Sequence, residues 1–147
     1  MGRQWTFGSE VKEVARVTEE VLAAMLTHAK ECGADTKHYA MGFRTAVNEV
    51  LVNHAKHGNQ YKAERFVTVD LHLEPERITI ESSDEGPGFS IKDVPDATDP
   101  ENWDRPCGRG ILMIKYYTAD KGGSLEFLGN RVLMSFVLET REALQAV

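Results

Sequence analysis

NEVLVNHAKHGN, residues 48–59, carries two patterns on one segment. Val47, Val50 and Leu51 continue a series of apolar positions begun by Tyr39 and Phe43, at the three- and four-residue steps of a helix with one buried face. Glu49, Asn53 and His57 are spaced by four, so they form a polar stripe whose side chains lie roughly 6 Å apart. Asp35 or Thr36 is placed to cap this helix, which is expected to run to His57 with Gly58 in the C′ position. The stripe alone reads more readily as a solvated face than as a site. As a metal site it favours a hard cation such as Mg²⁺ over zinc, because an Asn amide is a poor zinc ligand.

Upstream, Ser9 offers a hydroxyl to the free amides of another helix, with Glu10 and Glu13 in its first turn. Val11, Val14, Thr18, Val21, Leu22, Met25 and Ala29 give that helix a buried face, and Gly33 ends it. Arg3 to Phe7 reads as a short first strand. Downstream, the period changes to two from Phe66, with Val67, Val69, Leu71 and Leu73 on one side. A tight connection through Pro75, Glu76 and Arg77 leads to a second strand with Ile78 and Ile80 facing inward. Residues 86–108 hold seven Gly and Pro residues among many acids and read as a long functional loop. A short helix over 111–117 follows, then a hairpin that sets Leu125 and Phe127 against Val132, Met134 and Phe136 around Gly129 and Asn130. Helices, mixed strands, a helix and more strands make an α+β pattern.

A length of 147 residues fits one domain with a real core, and no repeat or linker divides it. Twenty-three acidic against 17 basic residues give a net charge of −6, which disfavours direct nucleic-acid binding. Cys32 and Cys107 lack a C-x-x-C spacing, so neither a zinc site nor a disulfide framework is expected. With no apolar leader and no span of about eighteen apolar residues, the chain is expected to be cytoplasmic and free of membrane.

Two further groups bear on chemistry. Asp84 shares strand parity with Ile78, Ile80 and Ser82, which points its carboxylate to the buried side, where an acid needs a partner. The alternative is a strand that ends at Ser82, with Asp84 opening a turn. Gly86 and Gly88 omit side chains where the chain reverses, giving a flat ligand close access to the backbone. Gly108, Arg109 and Gly110 open a helix whose free amides favour phosphate, although they match neither a Walker A loop nor a dinucleotide fingerprint, and a lid hinge would use the same residues.

Taken in order, NEVLVNHAKHGN resembles the N box of the gyrase, histidine-kinase and MutL (GHKL) superfamily, DEGPGF its first glycine box and GRGILMIKYYTAD its second. DVPDATDPEN and the short chain resemble the anti-sigma-factor serine kinases of the RsbW and SpoIIAB type. The likeness spans about Val47 to Met134 and implies a two-layer α/β sandwich of the Bergerat ATP-binding type, with a mixed, mostly antiparallel sheet. By that resemblance Glu49 matches the general base that accepts a proton from a substrate serine, and Asn53 the Mg²⁺ ligand. Asp84 matches the acid that accepts a hydrogen bond from the adenine amino group, with Gly86 and Gly88 giving the base room. Residues 90–107 match the ATP lid, and Gly108, Arg109 and Gly110 the phosphate cradle. His57, Phe89 and Ile111 fall within the same boxes as nucleotide-binding positions, His57 reading also as a structural hydrogen-bonder at a helix end. Gly129, Asn130 and Arg131 stand where the superfamily often has Gly-Thr, and Trp103, Asp104 and Arg105 have no assigned role.

The resemblance implies a kinase using ATP and Mg²⁺ to phosphorylate a STAS-type anti-sigma-factor antagonist, sequestering a sigma factor in its other state, and assembling as a homodimer. Phosphoryl transfer needs positioning, a divalent ion and a base that orients the nucleophile, and one helix and two loops supply all three. A nucleotide-binding module that switches partners without phosphotransfer is a second reading. A histidine-kinase catalytic domain is a third, weakened because His28 is followed by Ala29 and Lys30 where an acid is expected.

Overall fold

The computed structural model describes residues 2–88, 109–120 and 122–140, with backbone alone for 109–113 and 120. In chain order the elements are β1 (Gly2–Gly8), α1 (Val11–Glu31), α2 (Thr36–Asn53), a π-helical turn (His54–Gly58), β2 (Phe66–Glu74), β3 (Arg77–Ser83), α3 (Arg109–Asp120), β4 (Ser124–Leu128) and β5 (Arg131–Val137). The strands form one sheet in the order β1-β2-β3-β5-β4. Every pairing among them is antiparallel, so the expected α+β sandwich carries a fully antiparallel sheet in its described part.

Alternation along the strands produces a single inward face. Trp5 and Phe7 stand opposite Val69 and Val67, Leu71 opposite Ile80, and Ile78 and Ile80 opposite Phe136 and Met134, all of them buried. Against this face lie the apolar stripes of α1, with Val14, Val17, Val21 and Met25, and of α2, with Tyr39, Phe43, Val47, Val50 and Leu51. The Phe43 ring meets Phe136 edge-on at 4.9 Å between centroids, which locks the helix layer to the centre of the sheet. Gly42 lets α3 approach, because a Cβ there would sit 3.1 Å from the Tyr117 ring.

Helix boundaries follow local chemistry in part. Asp35 caps α2, accepting from the Lys37 amide at 3.0 Å. At the end of α1, Ala34 N–H donates to Ala29 and Gly33 N–H to Lys30, the paired bonds of a Schellman motif. Ser9, by contrast, does not cap α1. Its fully buried hydroxyl donates to the Arg65 carbonyl at 2.8 Å and accepts from Asn59, while Glu10 occupies the cap position without a side-chain bond. Val11 has the azimuth of Thr18, one heptad on, yet it remains 68% exposed because no described element covers the first turn there. The third helix is longer than expected, extending from Arg109 to Asp120.

The end of α2 departs most from expectation. Regular helix stops at Asn53, the next five residues widen into a π turn, and Gly58 has no left-handed φ. The left-handed residues come later, at Gln60 and Tyr61, with φ of 55° and 54°. Asn59 explains the shift. Its N–H reaches back to the His54 carbonyl at 2.9 Å, the five-residue spacing of a π bond, and its buried side chain is tied down on three sides.

Candidate functional site

The widened end of α2 sits directly on the turn that follows β3. Two turns of α2 bring Glu49 and Asn53 towards this junction, both half-buried and neither hydrogen-bonded through its side chain to another described residue. Asn53 immediately precedes the residue that meets Asp84, and Glu49 lies about 6 Å further back along the helix axis. His57 is exposed within the π turn.

Asp84 lies one residue beyond β3 and still turns its carboxylate inward, leaving the side chain only 6% exposed. The inward carboxylate and the turn therefore occur together, although β3 runs to Ser83 and does not end at Ser82. Oδ1 accepts from the Gly86 amide at 2.8 Å, the local bond by which Asp shapes a turn, while Oδ2 meets His54 Nδ1 at 2.6 Å. His54 Nε2 in turn contacts the Ser82 hydroxyl at 2.8 Å, and the ring is 3% exposed. A carboxylate only accepts, so Nδ1 carries the donated proton.

The backbone around Asp84 is pinned from both flanks. Asn130 of the β4–β5 turn accepts the Asp84 N–H through its carbonyl and donates its side-chain amide to the Asp84 carbonyl at 2.7 Å. Asn59 accepts the Glu85 N–H at 2.9 Å and donates to Ser9 and to the Phe66 carbonyl. The Glu85 carboxylate closes the loop by accepting the Phe66 N–H at 2.5 Å. Thus the turn residue that stands in place of a Gly-Thr pair has a contact of its own, to the main chain of the acid.

The glycines are required by close backbone approach. A Cβ at Gly58 would fall on the Asp84 carboxylate, and one at Gly86 on the Gly58 carbonyl. Gly88 has φ of 80° and would place a Cβ 2.7 Å from Gly129. The space freed at Gly86 and Gly88 is therefore used first by protein main chain.

A groove of about 460 Å³ runs between α1 and α2, with Thr18, Arg44, Thr45, Asn48 and Glu49 on its walls. Thr18 Oγ1 is buried there without a hydrogen-bond partner among the described residues, and Arg44 pairs with Glu19, whose hydrogen bond raises the guanidinium pKa further. A larger hollow of about 780 Å³ lies at the other end of α2, by Lys30, Asp35, Tyr39 and Glu139, and holds none of the expected site residues.

Phe89, Gly108 and the expected lid over 90–107 lie outside the described residues. Arg109, Gly110 and Ile111 open α3 as its first turn, with their backbone alone described. His28 is remote from the junction. Its Nε2 lies 2.6 Å from the Glu74 carbonyl, at the opposite end of the β2–β3 hairpin, some 20 Å of strand away from Asp84. Cys32 lies 3.5 Å from the same nitrogen, and burial pushes its thiol pKa up.

Sequence reasoning did not assign His54, Ser82, Asn59 or Asn130 to the site. For His54 a signal existed: it follows Val47, Val50 and Leu51 at helical steps on the apolar face. A histidine aimed into the core and an aspartate with the parity of Ile78 and Ile80 are each other's obvious partner.

A helical layer on an antiparallel sheet, with the polar end of one helix clasped to a buried acid, is an α+β domain. The chain belongs to the histidine kinase-like ATPase domain family, whose model matches residues 7–136. No curated protein sequence matches it. Among solved structures it is similar to the histidine kinase domain of the blue-light activated histidine kinase from Erythrobacter litoralis EL346, at 18% identity and a TM-score of 0.46, covering 71% of this chain and 46% of that one. It is also similar to full-length ShkA in complex with AMPPNP, at 15% identity and a TM-score of 0.44, covering 87% of this chain and 31% of that one. A third is the catalytic domain of histidine kinase ThkA in a nucleotide-free form, at 14% identity and a TM-score of 0.44, covering 94% and 97%. The chain thus spans less than half the length of the first two.

Proposed function

We propose that this chain is an ATP-dependent protein-serine/threonine kinase that phosphorylates an anti-sigma-factor antagonist and sequesters a sigma factor in its other state. One observation carries the reading: the helix that presents Glu49 and Asn53 is clasped through His54 and Gly58 to the buried carboxylate of Asp84. A purine-binding acid and a catalytic helix are thereby held as one rigid unit, as in-line phosphoryl transfer demands.

The residues present fit an adenine nucleotide with magnesium. Asp84 retains acceptor capacity on both carboxylate oxygens, which suits an exocyclic amine. Asn53 offers an amide oxygen of the hard type that Mg²⁺ prefers. ATP supplies the transferable phosphoryl group. Glu49 accepts the proton of the incoming serine hydroxyl; Asn53 would hold the metal, Asp84 would take the adenine amine, and Gly108, Arg109 and Gly110 would receive the phosphate oxygens. His57, Phe89 and Ile111 would contribute further nucleotide contacts. The phosphoacceptor is a STAS-type antagonist, and the chain acts as a homodimer.

The test is transfer of labelled phosphate from ATP to the antagonist protein, in wild type and in Glu49→Ala. The reading expects serine phosphorylation that falls by roughly 100-fold or more without the base. ATP binding with no transfer to any partner would instead favour a nucleotide-dependent switch.

A further inference from the structure

We propose that His54 is the positioning residue that fixes the Asp84 carboxylate for selective recognition of a 6-aminopurine. The inference rests on Asp84 being the base-binding acid of the preceding section. Asp84 and His54 are among the most enclosed polar side chains at the junction, at 6% and 3% exposed, and each is the other's side-chain partner. The main chain of Asp84 is fixed by Asn130 on both its N–H and its carbonyl, so the remaining freedom is rotation of the carboxylate about its own bonds.

His54 removes that freedom. Its ring is held at both nitrogens, by Asp84 Oδ2 and by the Ser82 hydroxyl, and the turn amide of Gly86 takes Oδ1. With one acceptor site on each oxygen filled, the sites left over have set directions. A group that only accepts welcomes the amine of adenine and rejects the 6-oxo group of hypoxanthine or guanine, since two acceptors facing each other leave both unpaired. Without His54 the carboxylate would sit in the same enclosed place with no side-chain partner. It would then rotate outward, and the acceptor sites that face the base would lose their set directions. The expected loss is therefore one of discrimination and not merely of affinity.

Titration calorimetry of the full chain with MgADP and MgIDP, which differ in this group, reads that discrimination. Wild type is expected to prefer ADP by roughly 100-fold or more. In His54→Ala the preference should fall below about tenfold. It should return in His54→Asn, whose amide reaches the position of Nδ1, and not in His54→Gln, whose amide reaches further. Undiminished preference in His54→Ala overturns the inference and leaves the nucleotide-binding reading standing. Uptake of neither nucleotide by wild type overturns both. If His54→Ala does not fold, proton NMR of wild type decides: the Nδ1–H resonance of His54 should be displaced by ADP and not by IDP. A resonance that ignores bound ADP overturns the proposal.

Discussion

The two ends of α2 are held by different forces. At its start, an aspartate cap holds the first turn, and the buried rings of Tyr39 and Phe43 pack the helix onto Phe136. At its finish, the regular helix dissolves into a π turn, and polar groups take over: His54 to Asp84, Asn59 to Ser9 and Glu85, Gly58 against a carboxylate. Burial is non-directional and depends on area, whereas this junction depends on partners at fixed angles. One end sets where the helix lies, and the other sets where its polar stripe points.

That contrast makes separable predictions. Phe43→Ala empties the centre of the core and should cost about 3–5 kcal/mol in denaturant unfolding. Measured where the variant is still folded, its nucleotide affinity should stay close to wild type. Asn59→Ala strips partners from the Glu85 N–H, the Phe66 carbonyl and the Ser9 hydroxyl, and should cost about 2–3 kcal/mol. Here calorimetry should find nucleotide affinity falling together with stability, the reverse of the Phe43 result.

Smaller changes refine the division. Tyr39→Phe removes a hydroxyl that donates to the Val137 carbonyl and accepts the Glu139 N–H, and should lower stability by about 1–2 kcal/mol with no effect on nucleotide affinity. Burial raises the Tyr39 pKa, so its hydroxyl stays protonated and this contribution is constant across neutral pH. Arg44→Ala breaks an exposed pair with Glu19 and should leave the unfolding midpoint where it was.

The same contrast explains what could be read in advance. Strand periods from Phe66 to Ile80 and the helical steps of α1 and α2 report burial, which repeats along the chain and so shows itself locally. The buried carboxylate of Asp84 was legible in the same way, through parity. The cap expected at Ser9 fails because its hydroxyl is claimed by Asn59 and Arg65, 50 and 56 residues away, and no local spacing records such a partner. Gly58 was misread for the same reason: the carboxylate that forbids its side chain comes from the far side of β2 and β3. His54 lay within reach of sequence reasoning, since the apolar stripe points it inward, but its neighbours Asn53 and His57 on the polar stripe drew the chemistry to themselves.

Calorimetric titration of MgADP into wild type and Asp84→Asn bears on the whole scheme, because Asn keeps the shape of the side chain while placing an N–H donor where a pure acceptor stood. The account predicts saturable uptake by the wild-type chain and at least about a tenfold loss in the variant, with both proteins folded. Equal affinity in the two, or no heat of binding in either, would contradict it.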